Sequence, residues 1–142
     1  MKASRILAVL SHSAAMFALC ALAGSFAAAA PGPLDGKVFV GESGEKGKAA
    51  NEKDVITFAD GKVHSSACDK WGFNKGDYTA RVEGDTTVFE VETVSEKEGR
   101  IKWTGKLKGG TLEGSFVHYR KPAWYRPNPD PVEYWFKAAP KS

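Results

Sequence analysis

GRIKWTGKLKGGTLEGSFVHY, residues 99–119, is the stretch that decides the fold, because apolar residues recur at every second position on both sides of a glycine pair. Side chains of a strand point alternately to its two faces, so this spacing predicts two strands with one apolar and one polar face each. Gly109 and Gly110 supply the positive φ angles of a tight turn, which predicts a β-hairpin. One face of this hairpin carries Ile101, Trp103, Gly105, Leu107, Leu112, Gly114, Phe116 and His118.

Similar hairpins are predicted on either side of this one. Asp60-Gly61 lies between two β-rich runs, and Gly84-Asp85 lies between two more. A short run at the start and an aromatic run at the end complete the set. The predicted strands are residues 37–41, 54–59, 62–66, 77–83, 86–94, the two arms of the glycine hairpin, and 132–138.

Two connections between these strands are long. Residues 42–53 are rich in Gly, Glu and Lys and are predicted to form a solvated loop. This loop either simply joins two strands or covers an open end of the fold. Residues 67–76 lose the alternation and gather glycine with two aromatic residues, so we predict a structured loop there.

About eight strands joined mostly by short turns predict an all-β domain. An open sheet would expose its apolar face and two edges, whereas an antiparallel up-and-down barrel buries that face and pairs the first strand with the last. A barrel of this size is filled by its own side chains or holds one small ligand. A two-sheet β-sandwich is the alternative that the same alternation allows.

The N-terminus is predicted to be a secretory signal peptide over residues 1–29. Lys2 and Arg5 precede an apolar run, and small residues lead to a cleavage site after Ala29. A retained membrane anchor is the alternative, because the apolar run approaches the length that spans a bilayer. Cys20 is assigned to this leader. We therefore predict a single domain, residues 30–142, in the periplasm or outside the cell and without stable membrane insertion.

The charge of the remaining chain is nearly balanced. The formal net charge of +3 falls to +1 without Lys2 and Arg5, and lysines alternate with acidic residues along the strands. Nucleic acid and anionic membrane surfaces attract proteins with a strong positive field, so this average charge favours neither as a partner. We predict no metal or cofactor, because His64 and His118 lack the spacing of a metal-binding motif.

Cys68 is the single cysteine outside the leader, so no disulfide forms within the domain. The fold must then be stabilised by its core, to which four tryptophans contribute large apolar side chains. Cys68 is a candidate reactive thiol, since Lys70 would lower its pKa while Asp69 would raise it. The alternative is a buried, inert cysteine that fills space beneath the loop.

Trp124 and Tyr125 lie in residues 120–131, a segment with four prolines that cannot pair as an inner strand. Aromatic side chains on a stiff loop offer a large contact surface at a low cost in conformational entropy. They are therefore candidates for binding a ligand at the barrel mouth or a protein partner, or they cap the barrel end.

The chain resembles the calycin superfamily of lipocalin-like barrels, and within it small secreted bacterial proteins of unassigned function. The resemblance rests on Leu34-Asp35-Gly36-Lys37-Val38-Phe39 and on the hairpins that end in Tyr134-Trp135-Phe136. Lipocalins usually have Gly-x-Trp where this chain has Gly36-Lys37-Val38. The resemblance implies binding of a small apolar molecule.

We therefore expect an exported, non-catalytic protein that binds a small hydrophobic or amphipathic ligand within the barrel. The alternative is a protein-interaction module or enzyme inhibitor that uses residues 120–131. The predicted ligand contacts are Trp71, Trp103, Phe116, Trp124, Tyr125 and Tyr134.

Overall fold

The computed structural model describes residues 32–142, which form a closed antiparallel barrel of eight strands. Each strand pairs with its neighbours in sequence, and the first pairs with the last, so the up-and-down barrel is confirmed and the sandwich alternative is wrong. The strands are β1 (Val38–Glu45), β2 (Glu52–Ala59), β3 (Lys62–Ser65), β4 (Gly76–Glu83), β5 (Thr86–Ser95), β6 (Gly99–Lys108), β7 (Thr111–Arg120) and β8 (Val132–Pro140).

The predicted signal peptide, including Cys20, lies outside the described residues. Between residues 32 and 142 the only helix is a 3₁₀ helix, Ser66–Trp71, and no helix there is long and apolar enough to cross a membrane.

The glycine hairpin forms as predicted. β6 and β7 pair along their whole length, from Gly99 opposite Arg120 to Lys108 opposite Thr111. Gly109 and Gly110 have φ angles of 56° and 78°, a region that residues with a β-carbon rarely adopt. The two glycines therefore provide the turn that sets the register of this hairpin.

An aromatic series fills the interior of the barrel. Phe58 contacts Phe39, Tyr78 and Phe89 edge to face, with ring centroids 5.1 to 6.0 Å apart. Phe136 links this group to Trp103, whose ring lies 5.6 Å away. Such edge-to-face and offset contacts add to the stabilisation that burial alone provides. The core therefore contains a continuous series of aromatic rings in contact with one another.

One end of the barrel is closed by the turn that precedes β1. Leu34 is fully buried there and packs into the core. The Asp35 carboxylate accepts hydrogen bonds from the Tyr78 hydroxyl at 2.7 Å and from the Gly61 amide at 3.1 Å. The Tyr78 hydroxyl in turn accepts a hydrogen bond from the Leu34 amide at 3.2 Å. These contacts fix the closed end, which also contains the β2–β3, β4–β5 and β6–β7 turns.

Two predicted boundaries are wrong. The predicted first strand at 37–41 is too short and the predicted loop at 42–53 is too long, because β1 continues to Glu45 and β2 begins at Glu52. Here the side chains on the inner face are small or polar, so apolar alternation is absent although the backbone pairs. In the predicted loop at 67–76, residues up to Trp71 belong to the 3₁₀ helix, which ends where Gly72 adopts a φ angle of 74°.

Candidate functional site

The other end of the barrel, the mouth, contains a cavity of about 510 Å³. Its walls are the mouth-side ends of β1, β2, β3, β6, β7 and β8 together with the 3₁₀ helix. The β1–β2 loop, the β5–β6 turn and the β7–β8 loop also lie at this end, because alternate connections of an antiparallel barrel share an end.

The cavity floor is aromatic. Trp103 and Phe116 lie opposite each other on β6 and β7, and their ring centroids are 4.3 Å apart. Tyr134 on β8 stacks on Phe116 at 4.8 Å with an angle of 9° between the rings. The floor therefore offers apolar ring surface, with Ile101 beside it, to a molecule that enters from the mouth.

One wall of the cavity is polar and is organised by Asp54, which is buried. Its carboxylate accepts hydrogen bonds from the hydroxyls of Ser65 at 2.6 Å and Ser66 at 3.2 Å, and from the Ala67 amide at 3.0 Å. These bonds compensate the carboxylate for lost water and attach the start of the 3₁₀ helix to β2. Asp54 therefore holds the wall in place, and its hydrogen-bonding capacity is largely used.

The wall formed by β7 carries two basic side chains beyond Phe116. His118 Nε2 lies 2.8 Å from the Glu98 carbonyl oxygen, so this nitrogen carries the proton and donates it. Arg120 differs, because its Nε is enclosed by protein atoms and has no hydrogen-bond partner among the described residues. Arg120 also forms no ion pair within residues 32–142. Its positive charge is therefore not paired with a carboxylate among the described residues.

Cys68 lines the same cavity from the 3₁₀ helix and is partly buried. Burial raises the pKa of its thiol to about 11, and the nearby carboxylates of Asp54 and Asp69 also raise it. A thiolate is the reactive form of cysteine, so this environment disfavours reaction near neutral pH. The placement supports the alternative of an inert packing residue.

The structure brings together four of the six predicted contact residues. Trp103, Phe116 and Tyr134 form the floor, and Trp71 lies at the rim with 53% of its surface exposed. Trp124 and Tyr125 do not line the cavity. They project from the β7–β8 loop, with 94% and 67% of their surfaces exposed, so they do not cap the barrel end.

The two histidines weighed for metal binding are placed differently. His64 faces outward from β3 and pairs with Asp69 at 2.7 Å, whereas His118 lines the cavity. Within the described part of the chain, no three His, Cys, Asp or Glu side chains lie close enough together to hold a metal ion.

Sequence reasoning missed the polar residues that face inward near the mouth. Asp54 lies two and four positions before Ile56 and Phe58, so it points to the same face of β2. Ser65 points to the same face of β3 as Val63. The available signal was a strand whose inward-facing positions change from apolar to polar residues along its length. This change occurs in several strands. The residues concerned are Ser43, Asp54, Ser65, Thr93, Ser95 and Arg120.

No protein-family model, curated protein or solved structure matches this chain. The geometry of the cavity is therefore the basis for a functional assignment. Its floor presents aromatic rings, while its walls include serine hydroxyls, the acidic residues Glu45, Glu52, Asp54 and Glu98, and Arg120, which forms no ion pair among the described residues. Such a site suits a molecule that has one apolar and one polar part.

Proposed function

We propose that this protein is an exported, non-catalytic binding protein for a small amphipathic molecule held at the mouth of the barrel. The observation that carries the proposal is the cavity of about 510 Å³ with an aromatic floor and polar walls. Ligand sites are typically concave, mostly apolar, and contain a few polar groups that orient the ligand. The volume lies within the range of roughly 300 to 1,000 Å³ that is usual for such sites.

The floor and the walls would contribute to binding in different ways. Transfer of an apolar group from water onto Trp103, Phe116 and Tyr134 removes apolar surface from both partners, which is favourable at roughly 25 cal/mol per Å². A polar group of the ligand would then lie near Arg120, which lines the cavity and forms no ion pair among the described residues. The ligand is thus expected to enter with its apolar part first.

The absence of catalysis in this proposal rests on two of the titratable side chains that line the cavity, Asp54 and Cys68. Asp54 accepts three hydrogen bonds and is therefore a poor general base. The raised pKa of Cys68 keeps its thiol protonated near neutral pH. Both side chains are better explained as parts of the cavity wall than as reacting groups.

The fold supports, as a proposal, the relation to lipocalin-like barrels. An eight-stranded closed barrel that is plugged at one end and open at the other is the arrangement that such a relation predicts. Export would follow from cleavage of the leader after Ala29, and would place the protein in the periplasm or outside the cell.

Titration with an amphipathic fluorophore, 1-anilinonaphthalene-8-sulfonate, tests ligand binding. An Ala67→Trp substitution adds an indole to the cavity wall, and Ala59→Trp adds the same group to an exposed site at the closed end. We expect saturable one-to-one binding by the wild type and by Ala59→Trp, and about tenfold or weaker affinity for Ala67→Trp, a loss of about 1.4 kcal/mol.

Equal binding by both variants, or no saturable binding at all, would contradict the proposal. Mass spectrometry of protein purified under native conditions supplies a second measurement. A co-purified small molecule that is absent from Ala67→Trp would identify the natural ligand.

A protein-interaction module or enzyme inhibitor is the second candidate. The exposure of Trp124 and Tyr125 favours it, because aromatic residues on a loop often dominate binding to a protein partner. This candidate leaves the cavity at the mouth without a role, and we therefore place ligand binding first.

A further inference from the structure

The β7–β8 loop displays its two aromatic residues on a preformed turn. The Ala123 amide donates to the Arg126 carbonyl at 3.0 Å, and the Arg126 amide donates to the Ala123 carbonyl at 2.9 Å. This reciprocal pair places Trp124 and Tyr125 at the two central positions, which we call the aromatic tip. Their rings contact each other edge to face, 5.6 Å apart. The tip is therefore ordered before it meets any partner.

Positive charge is concentrated at the base of the aromatic tip. Residues 120–131 contain three basic residues, Arg120, Lys121 and Arg126, and one acidic residue, Asp130. The Lys121 ammonium donates to the carbonyl oxygen of Glu96, not to a carboxylate. Neither Lys121 nor Arg126 forms an ion pair among the described residues. Residues 120–131 therefore have a net charge of +2, which Glu96, Lys97 and Glu98 on the neighbouring β5–β6 turn reduce to +1.

The aromatic tip lies at the same end of the barrel as the cavity. Arg120 and Val132, which flank the β7–β8 loop, both line the cavity. Trp71 adds a third exposed aromatic ring at the rim, with the Lys70 ammonium 5.5 Å from its centre. The mouth thus combines exposed tryptophan and tyrosine with basic side chains.

We propose that the mouth docks reversibly on the surface of an anionic lipid bilayer. Tryptophan and tyrosine favour the region between lipid headgroups and acyl chains, and the aromatic tip would insert there. Lys121 and Arg126 would lie against lipid phosphates, since basic residues near an anionic leaflet each strengthen binding. The acidic side chains of Glu96 and Glu98 on the neighbouring β5–β6 turn oppose this attraction, so the inserted aromatic side chains must contribute to binding as well.

A bilayer suits this tip better than a protein does. A stable protein interface usually buries about 800 Å² on each partner, whereas the tip is a convex turn with two large side chains at its end. Binding to a lipid interface needs only a small inserted apolar surface together with electrostatic attraction. Docking also goes beyond ligand binding, because it concerns the outer rim and not the cavity.

Co-sedimentation of the purified protein with lipid vesicles tests the proposal. Vesicles of phosphatidylcholine with phosphatidylglycerol are compared with vesicles of phosphatidylcholine alone, at low and high salt. We expect binding to the anionic vesicles and its loss at high salt, because salt screens exposed charges. Docking should also shift the tryptophan emission of the wild type to shorter wavelength, and Trp124→Phe should lose most of this shift.

Two pairs of variants locate the contact. Trp124→Ser/Tyr125→Ser and Lys121→Glu/Arg126→Glu are each expected to weaken vesicle binding about tenfold or more. Val82→Ser and Lys108→Glu alter exposed residues at the closed end and should bind as the wild type does. Thermal unfolding and fluorophore binding should be unchanged in the tip variants, which separates loss of docking from loss of fold or of the cavity.

Three outcomes would overturn the proposal. They are no binding to anionic vesicles, equal binding to both lipid compositions, and binding that the tip variants leave intact. A defined protein complex that depends on Trp124 and forms without lipid would assign the tip to a protein partner instead.

Discussion

Cys68 lines the cavity, and its surroundings make the stability of the fold depend on pH. Its thiol lies against the cavity wall between carboxylates, and burial raises its pKa from 9.0 to about 11. Between these two values the unfolded chain loses the proton while the folded chain keeps it. Deprotonation then favours the unfolded state, so stability present below pH 9 is lost as the pH rises towards 11.

We expect the free energy of unfolding of the wild type to fall by roughly 1 to 2 kcal/mol more than that of Cys68→Ala between pH 8.5 and pH 11. The measurement is urea unfolding at a series of pH values. Comparison with the alanine variant removes the contributions of lysines and tyrosines, which titrate in the same range in both proteins. Parallel curves for the two proteins would show that the thiol is not perturbed.

Asp54 shows what the sequence could and could not reveal about single residues. Its position relative to Ile56 and Phe58 predicts that it faces inward. Nothing in the sequence shows that Ser65, Ser66 and Ala67 lie within hydrogen-bonding distance of it, because this depends on the register between β2 and β3. The alternation of residues thus predicts that a side chain points inward. It does not predict which groups hydrogen-bond to a polar side chain.

At the scale of elements, two glycines face each other across the β6–β7 hairpin and leave room for a core side chain. Gly105 lies opposite Gly114, and the ring of Phe136 packs over both. A β-carbon on Gly105 would lie 2.6 Å from the Phe89 ring and 2.7 Å from the Phe136 ring. The space beside these two glycines is therefore filled by phenylalanine rings.

Gly114→Ala is expected to destabilise the protein by about 1 to 3 kcal/mol, the usual cost of overpacking a core. The added β-carbon would lie 2.1 Å from the carbonyl oxygen of Thr104, a backbone atom on the paired strand. Thermal unfolding of this variant is compared with that of Ser115→Ala, which changes the neighbouring residue of β7. An unchanged melting temperature for Gly114→Ala would mean that β6 moves away at little cost.

Strand prediction succeeded where apolar residues alternate and failed where the lumen is polar. The β2–β3 turn at Asp60-Gly61 and the β4–β5 turn at Gly84-Asp85 lie where their turn residues indicate. The second half of β1 was not predicted because its inward-facing residues, Ser43 and Glu45, are polar. That same polar face lines the cavity, so the failure of the pattern coincides with the candidate site.

At the scale of the whole molecule, the barrel depends on contacts between the two ends of the chain. β1 pairs with β8 from Phe39 opposite Pro140 to Glu45 opposite Tyr134. β8 also pairs with β7 and contributes Phe136 to the core. Such distant pairing is expected to make folding slow relative to helical proteins of the same length, because a large loop must close first.

Removal of residues 132–142 is expected to abolish cooperative unfolding, because it leaves unpaired edges on β1 and β7 and removes part of the core. Urea unfolding followed by tryptophan fluorescence and by circular dichroism measures this. Removal of Ser142 alone provides the control and should leave a single transition. Retention of a cooperative transition by the longer truncation would show that seven strands form a stable fold.

The candidate site was only partly predictable at this scale. Parity placed Trp103, Phe116 and Tyr134 on inward faces, and the closed barrel brings them together at one level. The alternation of residues along a strand does not show how far along the barrel axis a side chain lies. It therefore could not distinguish residues of the filled middle from residues that line the cavity. Nor could it show that Trp124 and Tyr125 lie beyond the rim, since the path of a proline-rich loop is not encoded in an alternating pattern.

The positions of the first and last residues that the structure describes have a practical consequence. The turn at Gly32 and the end of β8 at Pro140 both lie at the plugged side, across the molecule from the cavity. A purification tag, fluorescent protein or surface linker fused after Ser142 would therefore leave the entrance unobstructed. Immobilised through that terminus, every copy would present its opening to the surrounding solution, which is the orientation that a biosensor requires.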